Sequence, residues 1–183
     1  MPAPIIDADV ICTAVEQVLR DHLRDVLEAL GWLGQLGDVR TFQQVPDLNA
    51  VAAANLPAVM IGTSRADFDT TRSGEQFDGT WQVAVGIRDR GKDHADTAQR
   101  IRRWATAITI AATLDRGLGG IASSVRPISA HYDDLADVSQ ARTIASAAIV
   151  LEIRILDAID LDEFRRLLQP MPTVTSTHST VDQ

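Results

Sequence analysis

The sequence predicts an α+β fold. It reads as a single domain in which a mixed or antiparallel sheet packs against a long N-terminal helix and a central helix, followed by a short C-terminal helix and a flexible tail. Three observations predict it. Apolar residues recur every three to four positions over residues 11–30 and again over 98–112, the period of a helix face. They alternate over 81–87 and 147–155, the period of a strand. The first of these strands runs into the second helix across a short charged turn, so the helix stripe can lie back on the same sheet. The order of elements is helix, short strand, strand, long connection, strand, helix, strand, strand, short helix, tail. The domain spans 1–168 and the tail 169–183.

The first helix opens at Asp7 or Asp9, either of which can accept from the free amides of the first turn. Ile11, Ala14, Val15, Val18, Leu19, Val26, Leu27 and Leu30 carry its apolar face, and Gly31 stops it. Cys12 falls in its first turn and reads as a small apolar residue. Trp32, Leu33 and Leu36 plug the end of the core. Val39 to Val45 is a short strand. Pro46, Asp47 and Asn49 mark a turn, Ala50 to Asn55 a brief helical turn, and Ala58 to Ile61 a strand after Pro57.

Thr63 to Asp78 (TSRADFDTTRSGEQFD) is the stretch of the middle least like a core, and longer than an ordinary connection. It is a solvated loop, a long hairpin arm or a mobile binding loop. Its candidate interface residues are Arg65, Asp67, Phe68, Asp69, Arg72, Glu75 and Phe77, with Phe68 the one to watch. Trp81, Val83, Val85 and Ile87 then share one sheet face. Arg88 to Lys92 is expected to be a solvated turn and Asp93 a helix cap. Ala98, Ile101, Ala105, Ile108 and Ala112 form the stripe of the central helix, widened by Trp104 and Ala111. Asp96 and Arg100 are spaced as an i,i+4 ion pair, and Gly117 as a C-cap. Ser124 to His131 and Thr143 to Leu156 form an antiparallel hairpin over a polar loop. Asp160 and Glu163 open the short helix Leu161 to Leu168, closed by Pro170 and Pro172.

Composition bounds the function. The chain has 183 residues, 45% apolar and 23% charged, with a net charge of −8. That charge argues against the basic footprint of a duplex-binding module. A single cysteine excludes an internal disulfide framework and a cysteine zinc cluster. The first residues lack a secretory pattern, and no stretch approaches the roughly 20 apolar residues of a membrane span.

Catalytic patterns are missing. There is no G-x-x-x-x-G-K-[ST] and no G-x-S-x-G. Gly117 to Ala122 (GLGGIA) imitates a dinucleotide fingerprint, but it follows a helix and precedes a strand, the reverse of what that motif needs, so it reads as a helix-exit loop. His131, Asp133 and Asp134 carry metal-capable groups without partners at matching spacing. The expectation is therefore no enzyme, no cofactor and no metal.

The order of elements then resembles a known family. An amphipathic N-terminal helix, a strand ending in PAVMIG, a long charged loop, a strand GTWQVAVGIRDRG running into a D-x-x-A-x-x-I-R helix, and a late strand ASAAIVLEIRI look like tail terminator proteins of long-tailed bacteriophages, the lambda-type tail-completion fold. The chain is especially similar to minor tail proteins of phages that infect actinobacteria. The resemblance covers roughly Asp9 to Asp157. It implies a virion structural protein, assembled in the host cytoplasm, that forms a homo-oligomeric ring of about six subunits on the head-proximal end of the tail. Its partners would be the tail tube protein and a neck or head-completion protein. Genomic DNA would pass through an acidic lumen without specific binding. Leu161 to Gln183 exceeds a minimal terminator. The alternatives are a head–tail connector or neck protein, and a small α+β ligand-binding protein or enzyme with a closed pocket.

Overall fold

The structure, a computed structural model, describes residues 6–44, 52–69, 76–133 and 144–161. Helix α1 (Ala8–Ala29) opens on Asp7, whose Oδ1 accepts from the Val10 amide at 2.9 Å. It closes on Gly31 at φ 69°, where the Gly31 amide donates to Glu28 and the Trp32 amide to Leu27. Only a residue that tolerates positive φ fits that closure. The helix buries Ile11, Val15, Leu19, Leu23 and Leu27, with Cys12 5% exposed among them. A short helix α2 (Leu33–Leu36) follows and buries Leu36.

The sheet has the order β1-β2-β3-β5-β4. Strand β1 (Thr41–Gln43) runs parallel to β2 (Ala58–Asp69), and the remaining neighbours, β3 (Gln76–Arg90), β5 (Ile144–Asp160) and β4 (Ser124–Tyr132), are antiparallel. Helix α3 (His94–Leu114) joins β3 to β4 and packs beside α1 on one sheet face. Between the helices and the sheet lies an aliphatic core of Val59, Ile61, Val83, Val85, Ile87, Ile149, Leu151, Ile153 and Ile155, with Trp104 wholly enclosed. The opposite sheet face is not covered by α1 or α3. It holds a second, small cluster of Leu56, Ala58 and Met60 with Ile144 against it.

The α+β class and the element order agree with the sequence, and three local expectations change. The strand does not end at Ile87: β3 continues to Arg90, and Asp89 is buried rather than solvated. Arg100 pairs with Asp89, while Asp96 accepts from the Lys92 amide at 2.9 Å and so helps close the helix start that Asp93 caps. At the other end of α3 the cap is Asp115, whose carboxylate accepts from the amides of Gly117 and Gly119 at 2.9 and 2.8 Å. These two bonds, Gly119 foremost, hold the Asp115 carboxyl below its ordinary pKa. GLGG is thus a helix-exit turn, pinned by Leu118, which is 2% exposed. The expected helix Leu161 to Leu168 lies outside the described residues beyond Leu161, as do the tail, Val45, Ala50 and Asp134.

Candidate assembly surface

The stretch Thr63 to Asp78 is mostly strand. Strand β2 runs to Asp69 and β3 begins at Gln76, so the two extend the sheet as a hairpin arm. Apolar alternation does not specify this extension, because Ser64–Asp69 is exposed throughout. Pairing with β3 does: Arg65 lies opposite Gln82, Ala66 opposite Trp81, Asp67 opposite Thr80 and Phe68 opposite Gly79. A bulge between Thr63 and Arg65 resets the register, which puts Arg65 and Asp67 on the face away from the helices. There the Arg65 guanidinium meets Asp67 at 2.7 Å, with both side chains more than half exposed.

The other face of the arm is aromatic. Phe68 stands edge-on to Trp81, the ring centroids 5.4 Å apart and the planes at 88°. Trp81 is 2% exposed, Phe68 47%. The Trp81 indole lies across Gly79, where a Cβ would fall inside its ring. Gly79 therefore makes room for Trp81, and Trp81 gives Phe68 a surface to lean on. At the outer end of the arm, opposite Asp69, Asp78, 7% exposed, accepts from the Asp157 amide at 3.1 Å and meets Arg154 at 3.4 Å. That contact fixes the β5 backbone where Asp157 takes a φ of 52°. Phe77 is half-buried and pairs with Ile159 of β5.

Of the residues singled out from the sequence, Arg65, Asp67, Phe68, Asp69 and Phe77 thus share one arm; Arg72 and Glu75 lie outside the described residues. The arm also has an open edge. Strand β1 covers β2 only at Ala58, Val59 and Met60, and among the described residues no strand lies along the outer edge from Ser64 to Phe68. The opposite border of the sheet differs. Strand β4 carries Pro127, which has no amide to donate, and a bulge between Pro127 and Ser129. The proline discourages pairing along that edge, while a bulge is common to both borders.

Sequence reasoning missed the polar knot behind this sheet. Asp89 is 2% exposed and its Oδ2 accepts from Arg100 and from the Trp104 indole, each at 2.8 Å. Arg100 also donates to the carbonyls of Gln35 and Leu36, tying α2 to α3 and β3. The signal was present. The period of two that runs through Trp81, Val83, Val85 and Ile87 reaches Asp89 next, and Arg100 and Trp104 stand one helical turn apart.

Clefts that open to solvent border the helices among the described residues. One of about 440 Å³ lies between α3 and the end of β4, lined by His94, Ala98, Ile101, Arg102, Tyr132 and Asp133. One of about 210 Å³ lies between α1 and β1, where Arg24 bridges to both oxygens of Asp38 at 2.8 Å and Arg20 sits 4.3 Å over the Phe42 ring. Another, about 280 Å³, borders Asp89 and Arg100, whose charges are already matched to each other. Among the described residues no three His, Cys, Asp or Glu side chains are grouped to hold a metal ion. No helix among them is long and apolar enough to cross a membrane.

No protein-family model and no curated protein matches the chain. Among solved structures it is similar to a chain of "Virion of native gene transfer agent (GTA) particle", at 14% identity and a TM-score of 0.34, covering 78% of this chain and 98% of that one. Superposition at that level transfers neither a role nor a residue.

Proposed function

We propose that the chain is a virion structural protein, a tail terminator whose subunits close into a ring at the head-proximal end of a tail tube and join it to the neck. The observation that supports this reading is the arm. A closed ring is built from heterologous contacts, in which two different patches of each subunit meet. The molecule offers such a difference between its two sheet borders, one an exposed arm with an open edge and the other an edge blunted by Pro127. Asp78 ties β3 to the β5 backbone and Trp81 backs Phe68, so the described strands of the arm meet a neighbour already paired, which lowers the entropic cost of association.

The role is mechanical and uses no catalytic group, cofactor or metal. Arg65, Asp67, Phe68, Asp69 and Phe77 make the subunit and tube contacts, together with Arg72 and Glu75 of the same stretch. The net charge of −8 suits a passage through which a duplex must slide without adhering.

Substitution tests the reading better than excision. Removing residues 65–76 would also strip β5 of its partner at Gln76. The triple variant R65A/D67A/F68A changes only exposed side chains. It is expected to fold and to lose ring assembly on tail tubes. Assembly equal to wild type would remove the arm from the account.

A further inference from the structure

The open edge of the arm is complementary to itself. We propose that, apart from any ring, two copies of the chain pair arm to arm, β2 against β2, antiparallel and with the two-fold axis at Ala66. An edge strand presents unsatisfied amides and carbonyls and takes a partner strand when nothing blocks it. Here residues Ser64 to Phe68 are exposed and carry no proline, and among the described residues β1 ends at Gln43, opposite Met60, so no strand lies along them.

The side chains select the partner. With Ala66 opposite Ala66, Arg65 of each copy faces Asp67 of the other, in a register that ends at the bulge before Arg65. Arg65 and Asp67 share the face away from the helices, so both ion pairs form on the same side of the joined sheet. Opposite charges directly across a strand pair stabilise it, and like charges destabilise it. A slip of one residue carries Arg65 to the face opposite Asp67 and loses both pairs. The bridge within one arm, 2.7 Å from Arg65 to Asp67, shows that the two side chains reach one another; in the dimer each exchanges this partner for the equivalent one on the other copy. On the helix side Phe68, 47% exposed beside Trp81, gains cover from the neighbouring strand. Arm pairing and ring contacts draw on one edge, so a paired chain is held out of the ring until a tube end displaces the partner.

The test uses two variants of the full chain. R65D leaves positions 65 and 67 both acidic and D67R leaves both basic, so neither can form the internal bridge between them. Each alone meets like charge across the two-fold. Light scattering and native mass spectrometry are expected to show the wild-type chain as a dimer at tens of micromolar. Each variant alone should lose dimer on the order of tenfold, and an equimolar mixture should recover it as the heterodimer. The substituted side chains are exposed, and circular dichroism checks that both variants fold. As a second reading, A66C should yield a disulfide-linked dimer on mild oxidation, since opposed antiparallel residues place their Cα atoms about 4.5–5.5 Å apart, within the span of a disulfide. The native Cys12, 5% exposed, does not compete. A monomeric wild type, a mixture no more dimeric than its parts, or an A66C chain that stays unlinked would overturn the pairing.

Discussion

Asp89 and Arg100 meet at 2.8 Å behind the sheet, the carboxylate 3% and the guanidinium 17% exposed as side chains. The carboxylate also receives the Trp104 indole, so one acid orders both the end of β3 and a turn of α3. Removing one partner of a buried ion pair leaves the other uncompensated, which costs about 3–5 kcal/mol when burial is complete. Arg100 keeps some solvent, so Asp89→Ala is expected to cost about 3 kcal/mol. Asp89→Asn should cost less, because its amide oxygen still accepts from Trp104. Urea unfolding of the two variants measures this; an Asp89→Ala loss under about 1 kcal/mol would show that the pair is merely a surface contact.

Arg100→Lys should have a local effect beyond its cost in stability. Arginine serves Asp89 and the carbonyls of Gln35 and Leu36 through one planar fork, and a lysine ammonium cannot span all three. Hydrogen exchange is expected to quicken at Leu36 and Gly37, whose amides bond to Trp32 and Leu33 within α2. Protection there equal to wild type would detach α2 from Arg100.

Gly79→Ala drives a methyl group into the Trp81 ring. Overpacking of this kind costs about 1–3 kcal/mol. The same substitution should redden Trp81 fluorescence and uncover Phe68. In Trp81→Leu the ring is gone, so adding Gly79→Ala should cost much less than in the wild type. Strict additivity of the two would mean that the glycine answers to something other than Trp81.

Asp115 gives a pH dependence of known sign. Its folded pKa is depressed, chiefly by the Gly119 amide and next by the Gly117 amide. A depressed carboxyl stabilises the fold above its unfolded pKa of about 3.9, and that contribution fades as the pH falls through the lower folded value. The stability gap between wild type and Asp115→Asn should therefore be constant near neutrality and close below about pH 4. A gap that widens on acidification would contradict the assignment.

The sequence made the skeleton legible because its helices and inner strands have one wet and one dry face. Ile11 through Leu30 announce α1, and Ala147 through Ile155 announce β5 with its correct inner face. The arm was harder. TSRADFD has no alternating apolar set, and its inward positions are Ala66 and Phe68, the latter opposite a glycine. Its strand character comes from pairing with β3, which no local pattern records. Phe68 could be flagged as an aromatic among charges, but the Trp81 and Gly79 that seat it lie across the hairpin. Asp89 was misjudged because a charge run is ordinarily solvated, and only the tertiary approach of Arg100 and Trp104 reverses that.

The ring is the central claim, and imaging tests it most directly. Tail tubes lacking their cap would be incubated with the wild-type chain and with R65A/D67A/F68A, then examined by negative stain. Wild type is expected to form closed rings of about six subunits at one end of each tube, and the triple variant to leave those ends bare. Bare ends with the wild-type chain, or rings formed equally by the variant, would contradict the account.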